Sequence, residues 1–283
     1  MSAPRTPLRY PGGKQRIWRF IAQVMKLNSL EGGNYVEPYA GGAGVAFELL
    51  LAGKVSRIHL NDLSLGVYSF WRQVLDNPDG LCRRVRTASL NVEEWRRQKK
   101  LLGSPCGADP ADIGFAMFYL NRCNRSGMLL GGPIGGVEQG GSWKIDARFP
   151  RNELIRRIEA IADRKSAIRI RNWDAERFLS QYVPKLPQKT LVYCDPPYYH
   201  KSDRLYPNRY TAEDHIRLAS FVQGALKHPW VVSYDAAPEI LKLYCHRRTS
   251  LYPLQYSAAR ARKGLEVFIF SDGLILPQGS AVS

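Results

Sequence analysis

Short apolar runs that recur along the chain, several ending on an acid, are the feature that most restricts how it can fold. From about residue 166 to 271 they read AIRIR, TLVYCD, WVVSYD and EVFIFS, with helical stretches between some of them. One such helix spans 211–227. It opens on Thr211 with Asp214 three residues on, the pattern of a capping box. Residues 34–62 form an earlier strand–helix–strand unit. NYVE is a short strand, GGAG the turn, VAFELLLA a helix closed by Gly53, and RIHLND a strand with an acid at its end. Strands alternating with helices predict a parallel α/β sheet.

The stretch between, residues 66–165, reads as helical and basic. It carries EEWRRQKK and a second amphipathic helix, ELIRRIEAIAD, with Leu154, Ile155, Ile158, Ile161 and Ala162 on one face. The glycine-dense GMLLGGPIGGVEQGGSWKID suits a loop or hairpin. The expected organisation is therefore an α/β domain built from residues 1–65 and 166–283, interrupted by an inserted helical domain at 66–165. A chain of 283 residues is long enough for this division.

Lys and Arg exceed Asp and Glu by 41 to 25, which gives a net charge of +16. A polyphosphate partner is the natural reading, because binding it releases counterions. The five cysteines form no C-x-x-C pair, so neither a zinc site nor a disulfide framework is expected, and a reducing cytosol is the simplest compartment. No apolar run is long enough to cross a bilayer, and the first residues lack the apolar stretch of a signal peptide.

Four segments carry chemistry. The most specific is LVYCDPPYY at 191–199, a buried-type strand running into Asp195, Pro196, Pro197 and Tyr198. Sites in open α/β sheets lie beyond the carboxyl ends of strands. Two prolines stiffen the turn and present carbonyls. A carboxylate, a carbonyl and a flat ring suit an aromatic amine, whose lone pair is delocalised into its ring. Hydrogen bonds from its N–H groups to Asp195 and the Pro196 carbonyl favour a pyramidal nitrogen, and Tyr198 is placed to stack on the base. The second segment is YVEPYAGGAG at 35–44, where glycines between strand and helix let a ligand approach the backbone. Asp62 follows at about the 20-residue spacing of a ribose-binding acid. In the third, LRYPGGKQRI at 8–17, Lys14 is a candidate partner for a carboxylate and Tyr10 for packing beside a cofactor. In the fourth, FYLNRCNRSGMLLGGPIGG at 118–136, Asn121, Arg122, Asn124 and Arg125 suit phosphates or base edges. Each segment alone also fits a plain turn or helix end.

Together they resemble the Dam-type DNA adenine N6-methyltransferases. The order R-Y-P-G-G-K, E-P-Y-A-G-G-A-G, N-D, L-N-R, D-P-P-Y, then S-Y-D at 233–235 and G-L-E-V-F-I-F-S at 264–271, spans about residues 5–275. The resemblance implies a Rossmann-like fold that uses S-adenosylmethionine (SAM), without a metal, and an inserted helical target-recognition domain acting on double-stranded DNA. It implies that Tyr10, Lys14, Glu37, Tyr39, Gly41, Asp62, Asp174 and Asp195 line the cofactor, with Asp62 on the ribose and Asp174 near the adenine. The stretch YYHKSDRLYPNRY resembles a loop that closes over a flipped base, which adds Lys201, Arg204 and Tyr210 to the DNA-facing set. Tyr39 stands where Phe is usual. The string L-N-R-C-N-R-S-G departs from the family's L-N-R, aromatic, N-G, so the recognition sequence is not carried over. A cytoplasmic, nucleoid-associated enzyme of bacterial or phage origin follows, monomeric or weakly dimeric. It is either solitary or partnered with a cognate restriction or phage-defence system. Cytosine N4 methylation, a DNA-binding regulator without activity and an RNA substrate are the alternatives.

Overall fold

The computed structural model describes residues 5–9, 14–199, 210–255 and 263–277. Seven strands among them form one sheet: β1 (Asn34–Glu37), β2 (Arg57–Asn61), β3 (Ile168–Arg171), β4 (Thr190–Cys194), β5 (Trp230–Asp235), β6 (Arg248–Gln255) and β7 (Lys263–Phe270). Their order is β3-β2-β1-β4-β5-β7-β6. The first five are parallel, as expected. Beyond these five the sheet is mixed, because β7 runs antiparallel to both β5 and β6. The strand β6 also escaped the sequence reading. Pro253 interrupts its apolar pattern, and a proline is tolerated there because β6 is the edge of the sheet.

Both faces of the sheet are covered, and the strand sequences say why. Along β4, Leu191 and Tyr193 face one apolar cluster while Val192 and Cys194 face the other. Along β7, Phe268 and Phe270 share the first cluster, and Val267 and Ile269 the second. Period-two alternation with apolar residues on both sides is what a strand between two helical layers requires. On the first face lie α1 (Trp18–Leu27), α2 (Gly44–Leu51) and α3 (Leu65–Asp76). Phe20 of α1 meets Phe268 and Phe270 edge-on, each at 6.1 Å between centroids. The second face carries residues of the π-helical turn Phe178–Tyr182 that follows α8 (Ala175–Arg177), of α9 (Ala212–Gly224) and of α10 (Pro238–Leu243), among them Phe178, Leu218 and Ile240. The capping box that opens α9 is present. The Thr211 backbone N–H donates to Asp214 (2.7 Å), and the Asp214 N–H to the Thr211 hydroxyl (3.3 Å).

Between β2 and β3 lie α3, α4 (Pro78–Thr87), α5 (Val92–Gly103), α6 (Pro110–Cys123) and α7 (Arg151–Ala162). Leu154, Ile155, Ile158 and Ile161 of α7 are buried, as the 3.6-residue period requires. The glycine-dense stretch after α6 contains a single isolated bridge, Asn124 to Pro133, and no strand. α6 is buried on nearly every side from Ile113 onward, so it is the hub of this layer. The apolar cluster is continuous from these helices to the sheet.

Gly114 sets how closely α6 crosses α3. A Cβ there would lie 2.7 Å from the Phe70 nitrogen and 2.8 Å from the Ser69 oxygen, both backbone atoms that no rotamer change can move. Gly114→Ala therefore forces the helices apart. The roughly 1 kcal/mol that alanine gains in helix propensity is smaller than an overpacking cost of about 1–3 kcal/mol. The variant is expected to unfold at lower urea concentration than the parent; an unchanged or higher midpoint would show that this crossing is not tight.

Candidate active site

The strand order reverses at β1, whose neighbours are β2 on one side and β4 on the other. Crevices at such reversals hold ligands at the carboxyl ends of the strands. Acids sit at or just beyond those ends: Glu37 closing β1, Asp62 after β2, Asp174 beyond β3, Asp195 after β4 and Asp235 closing β5.

The bend after β1 is tightly held. Gly41 and Ala43 have positive φ, 46° and 47°. The Gly41 N–H donates to Asp62 Oδ2 at 2.8 Å, and the Ser64 N–H to Asp62 Oδ1 at 2.9 Å. The Gly41 carbonyl accepts from Trp71 Nε1 at 2.9 Å, which ties the bend to α3. Glu37 lies buried behind the bend, where Oε1 accepts the Ala46 N–H at 3.2 Å. Asp174 is exposed and caps α8, accepting N–H groups from Glu176 and Arg177. A pocket is lined by Tyr39, Asp174, Leu179, Tyr210, Leu218 and Phe221, among others. The Tyr39 and Tyr210 hydroxyls are 2.7 Å apart, with their rings edge to face.

Asp195 occupies the other side of the crevice. Lys14 Nζ lies 2.7 Å from Asp195 Oδ1 and 2.7 Å from Glu266 Oε1. The Tyr198 hydroxyl donates to the same Glu266 Oε1 at 2.6 Å. The Ser233 hydroxyl donates to Asp195 Oδ1 at 2.8 Å, and the Tyr193 hydroxyl is 2.8 Å from Ser233 Oγ. Both contacts to Asp195 thus fall on Oδ1. Among the described residues nothing hydrogen-bonds Oδ2, and the side chain is 31% exposed. Asp195 therefore has one inner oxygen fixed by the protein and one available to a ligand. Burial alone would lower the Lys14 pKa, but Asp195 and Glu266 outweigh it and hold the ammonium well above the usual lysine range. Cys194 turns to the opposite apolar cluster, and burial pushes its thiol pKa up, so it offers no nucleophile.

Several expected roles change. Lys14 is committed to two carboxylates of the chain, so its ammonium is not free for a cofactor carboxylate. Tyr198 is 3% exposed, so its ring offers no open face for stacking in this conformation. Tyr210 faces Tyr39 and His215 in the pocket beside Asp174. Asn121, Arg122 and Asn124 are buried, with their polar groups used internally. Asn121 accepts the Arg9 N–H and donates to the Arg9 and Gly127 carbonyls. Arg122 donates to the carbonyls of Arg148 and Pro7. Asn124 accepts Trp95 Nε1 and donates to the Met128 and Leu129 carbonyls. Short polar side chains at a helix end suit turn-stapling as well as DNA contact, and sequence alone does not separate the two. Of that group only Arg125 is exposed. Tyr10, Lys201 and Arg204 lie outside the described residues. Glu266 and Ser233 were missed as site residues; a lone acid inside the apolar run EVFIFS was the available signal, since acids are almost never buried without a partner.

Among the described residues no group of three or more His, Cys, Asp or Glu is arranged to hold a metal, and no helix is long and apolar enough to cross a membrane. A doubly wound, Rossmann-like sheet thus carries a glycine bend on one side of its reversal point and a proline-stiffened acid on the other, the place where open α/β sheets take their ligands. The family model for D12 class N6 adenine-specific DNA methyltransferases matches residues 10–257, and the chain belongs to that family. Adenine methylation of DNA is the activity the family is named for. Comparison with curated proteins gives no match. Among solved structures the chain is similar to the rRNA methyltransferase AviRa from Streptomyces viridochromogenes, at 15% identity and a TM-score of 0.38, over 96% of this chain and 88% of that one. So distant a likeness says nothing about substrate.

Two outcomes test this geometry. Burial lifts Glu37 from an ordinary 4.5 to about 8, and the Asp195 charge adds to the effect. A raised carboxyl pKa stabilises the fold most below the unfolded value; that stability drains away as pH climbs from about 4.5 to 8. Glu37→Gln removes this term, on the order of a few kcal/mol. Urea melts are expected to show the variant gaining on the parent between pH 5 and 8.5; parallel curves would mean that Glu37 titrates normally. Asn124→Ala strips the acceptor from buried Trp95 Nε1, and a cost of about 1–3 kcal/mol is expected. Its signature is a lower melting temperature, with DNA affinity unchanged where the variant is folded.

Proposed function

We propose that the chain transfers a methyl group from SAM to N6 of an adenine flipped out of double-stranded DNA at a specific sequence. The observation that carries this reading is the two-sided Asp195 carboxylate, with Oδ1 held by Lys14 and Ser233 and Oδ2 left to the crevice. The fit to SAM is supported by the donor set across the reversal. Asp62, half-buried and oriented by the Gly41 N–H, suits a ribose diol. Asp174 and Tyr39, in the pocket shared with Tyr210, suit an adenine. The left-handed backbone at Gly41 gives close approach to the main chain. Glu37 shapes the bend from behind, through Ala46. When bound, SAM supplies an electrophilic methyl on sulfur.

The residues of the chain do the rest. Asp195 Oδ2 and the Pro196 carbonyl each accept one N–H of the exocyclic amine, so the nitrogen lone pair is withdrawn from the ring and freed for attack. The N–C bond forms as the sulfur–methyl bond breaks, which leaves S-adenosylhomocysteine as the departing group and the nitrogen with one proton too many, and Asp195 Oδ2 is the acceptor for that proton. Pro196 and Pro197 keep the two acceptors in register. No residue becomes covalently attached to the base. Extruding the base costs a few kcal/mol, which contacts from the helical segment 66–165 offset. The net charge of +16 and the exposed Arg125 support DNA contact there, as do exposed Leu130, Val137 and Trp143 on the glycine-dense stretch.

Duplex DNA incubated with the protein and methyl-labelled SAM is expected to yield N6-methyladenine by nucleoside mass spectrometry. N4-methylcytosine would redirect the reading to the other exocyclic amine, and no methylated base would refute it. Asp195→Ala is expected to lower transfer by at least about a thousandfold, in line with losing the group that orients the nucleophile, while DNA affinity stays within a few-fold. Retained transfer in that variant would remove Asp195 from the mechanism.

A further inference from the structure

We propose that Glu266, on the antiparallel strand β7, is a positioning residue for the methyl transfer, holding Lys14 and Tyr198 so that Asp195 keeps one oxygen aimed into the crevice. This rests on the methyl-transfer reading above and deepens it.

The side chain of Glu266 is fully buried, and Oε1 alone receives both Lys14 Nζ and the Tyr198 hydroxyl. It therefore grips the last residue of the Asp195–Tyr198 turn directly and the first one through Lys14. Strand order brings it there. β7 enters between β5 and β6, and its register places Glu266 opposite Asp235, at the carboxyl end of β5. Asp235 Oδ1 in turn accepts the Tyr199 N–H at 3.1 Å, so paired positions on two neighbouring strands clamp consecutive residues of one segment.

Stability does not account for such a residue. A buried ion pair seldom repays the desolvation of its charges, and an apolar pair of the same shape often does as well. Among the described residues Glu266 Oε2 is buried without a hydrogen bond, which adds to that cost. Burial is also what raises the Glu266 pKa, against the pull of Lys14. Expensive buried acids concentrate at sites where charge is being managed.

Here the management is a division of one ammonium. If Lys14 faced Asp195 alone, its whole field would draw electron density from the carboxylate and weaken Oδ2 as an acceptor. Shared between two acids, Lys14 fixes Asp195 Oδ1 in place and leaves Oδ2 strong. Tyr198, held by its hydroxyl, cannot swing and carry the proline turn with it. The effect falls on the transfer step, because Glu266 is too deep to touch a cofactor or a base.

Glu266→Gln keeps the shape and removes the charge. With methyl-labelled SAM and a duplex oligonucleotide, kcat is expected to fall at least tenfold while KM for SAM and for DNA moves less than threefold and the melting temperature does not drop. A kcat within threefold of the parent, or a loss confined to KM, overturns the inference. Should that variant not fold, Glu266→Asp carries the same test, since it keeps the charge but withdraws it by one methylene from both partners. A kcat reduced at least threefold at unchanged KM is expected for it, and a parental kcat overturns the inference. Failure of the underlying reading is distinguishable, because the parent protein would then methylate no DNA at all.

Discussion

A single ammonium, that of Lys14, stands between two buried or half-buried carboxylates, and the geometry of the crevice depends on it. Without it, Asp195 and Glu266 would be like charges facing one another in a poorly hydrated place. With it, both have a reason to stay where they are. The lysine comes from the start of the described chain, the aspartate from a parallel strand in the middle of the sheet, and the glutamate from an antiparallel strand near the end. The site thus draws on three separated parts of the fold, and each is positioned by ordinary strand pairing or helix packing.

The sheet determines what those parts can do. Strands buried on both faces favour apolar residues, so acids gather at the strand ends. That is why the acids at or just beyond the ends of β1, β2, β3 and β4 line one edge, and why the reversal between β1 and β4 opens a crevice among them. Glu266 breaks the rule, since it sits within β7 and not at a strand's carboxyl end. An antiparallel strand reaches that edge from the other direction, so a mid-strand side chain arrives where the parallel strands have already ended.

Much of this was legible in the residue string. The strand–helix–strand unit at 34–62, the apolar runs that became β3, β4, β5 and β7, and the capping box at Thr211 all follow from local pattern. So did the Asp-Pro-Pro-Tyr turn after an apolar strand, because prolines and an acid directly after Val-Tyr-Cys leave few other options. The direction of β7 was not legible, since alternation says nothing about parallel or antiparallel pairing. The edge strand β6 was hidden by Pro253. Asn121, Arg122 and Asn124 were misplaced for a different reason. Their chemistry suits a phosphate as well as it suits a carbonyl of the same chain, and only the burial of α6 decides between them. Lys14 is legible as a site residue, but its pairing with Asp195 is not, because a contact 181 residues away leaves no trace in spacing.

The tie between Lys14 and the late strand β7 also has a bearing on biosynthesis. A polypeptide emerging from the ribosome can pair β1 with β2, and later β4 with β1, well before the segment bearing Glu266 exists. During that interval the nascent chain possesses a glycine bend and a proline turn, and Lys14 has Asp195 but not Glu266 to pair with. The contact of Lys14 with both Asp195 and Glu266 is therefore completed only when β7 joins the sheet, so this part of the crevice takes its final form late in synthesis.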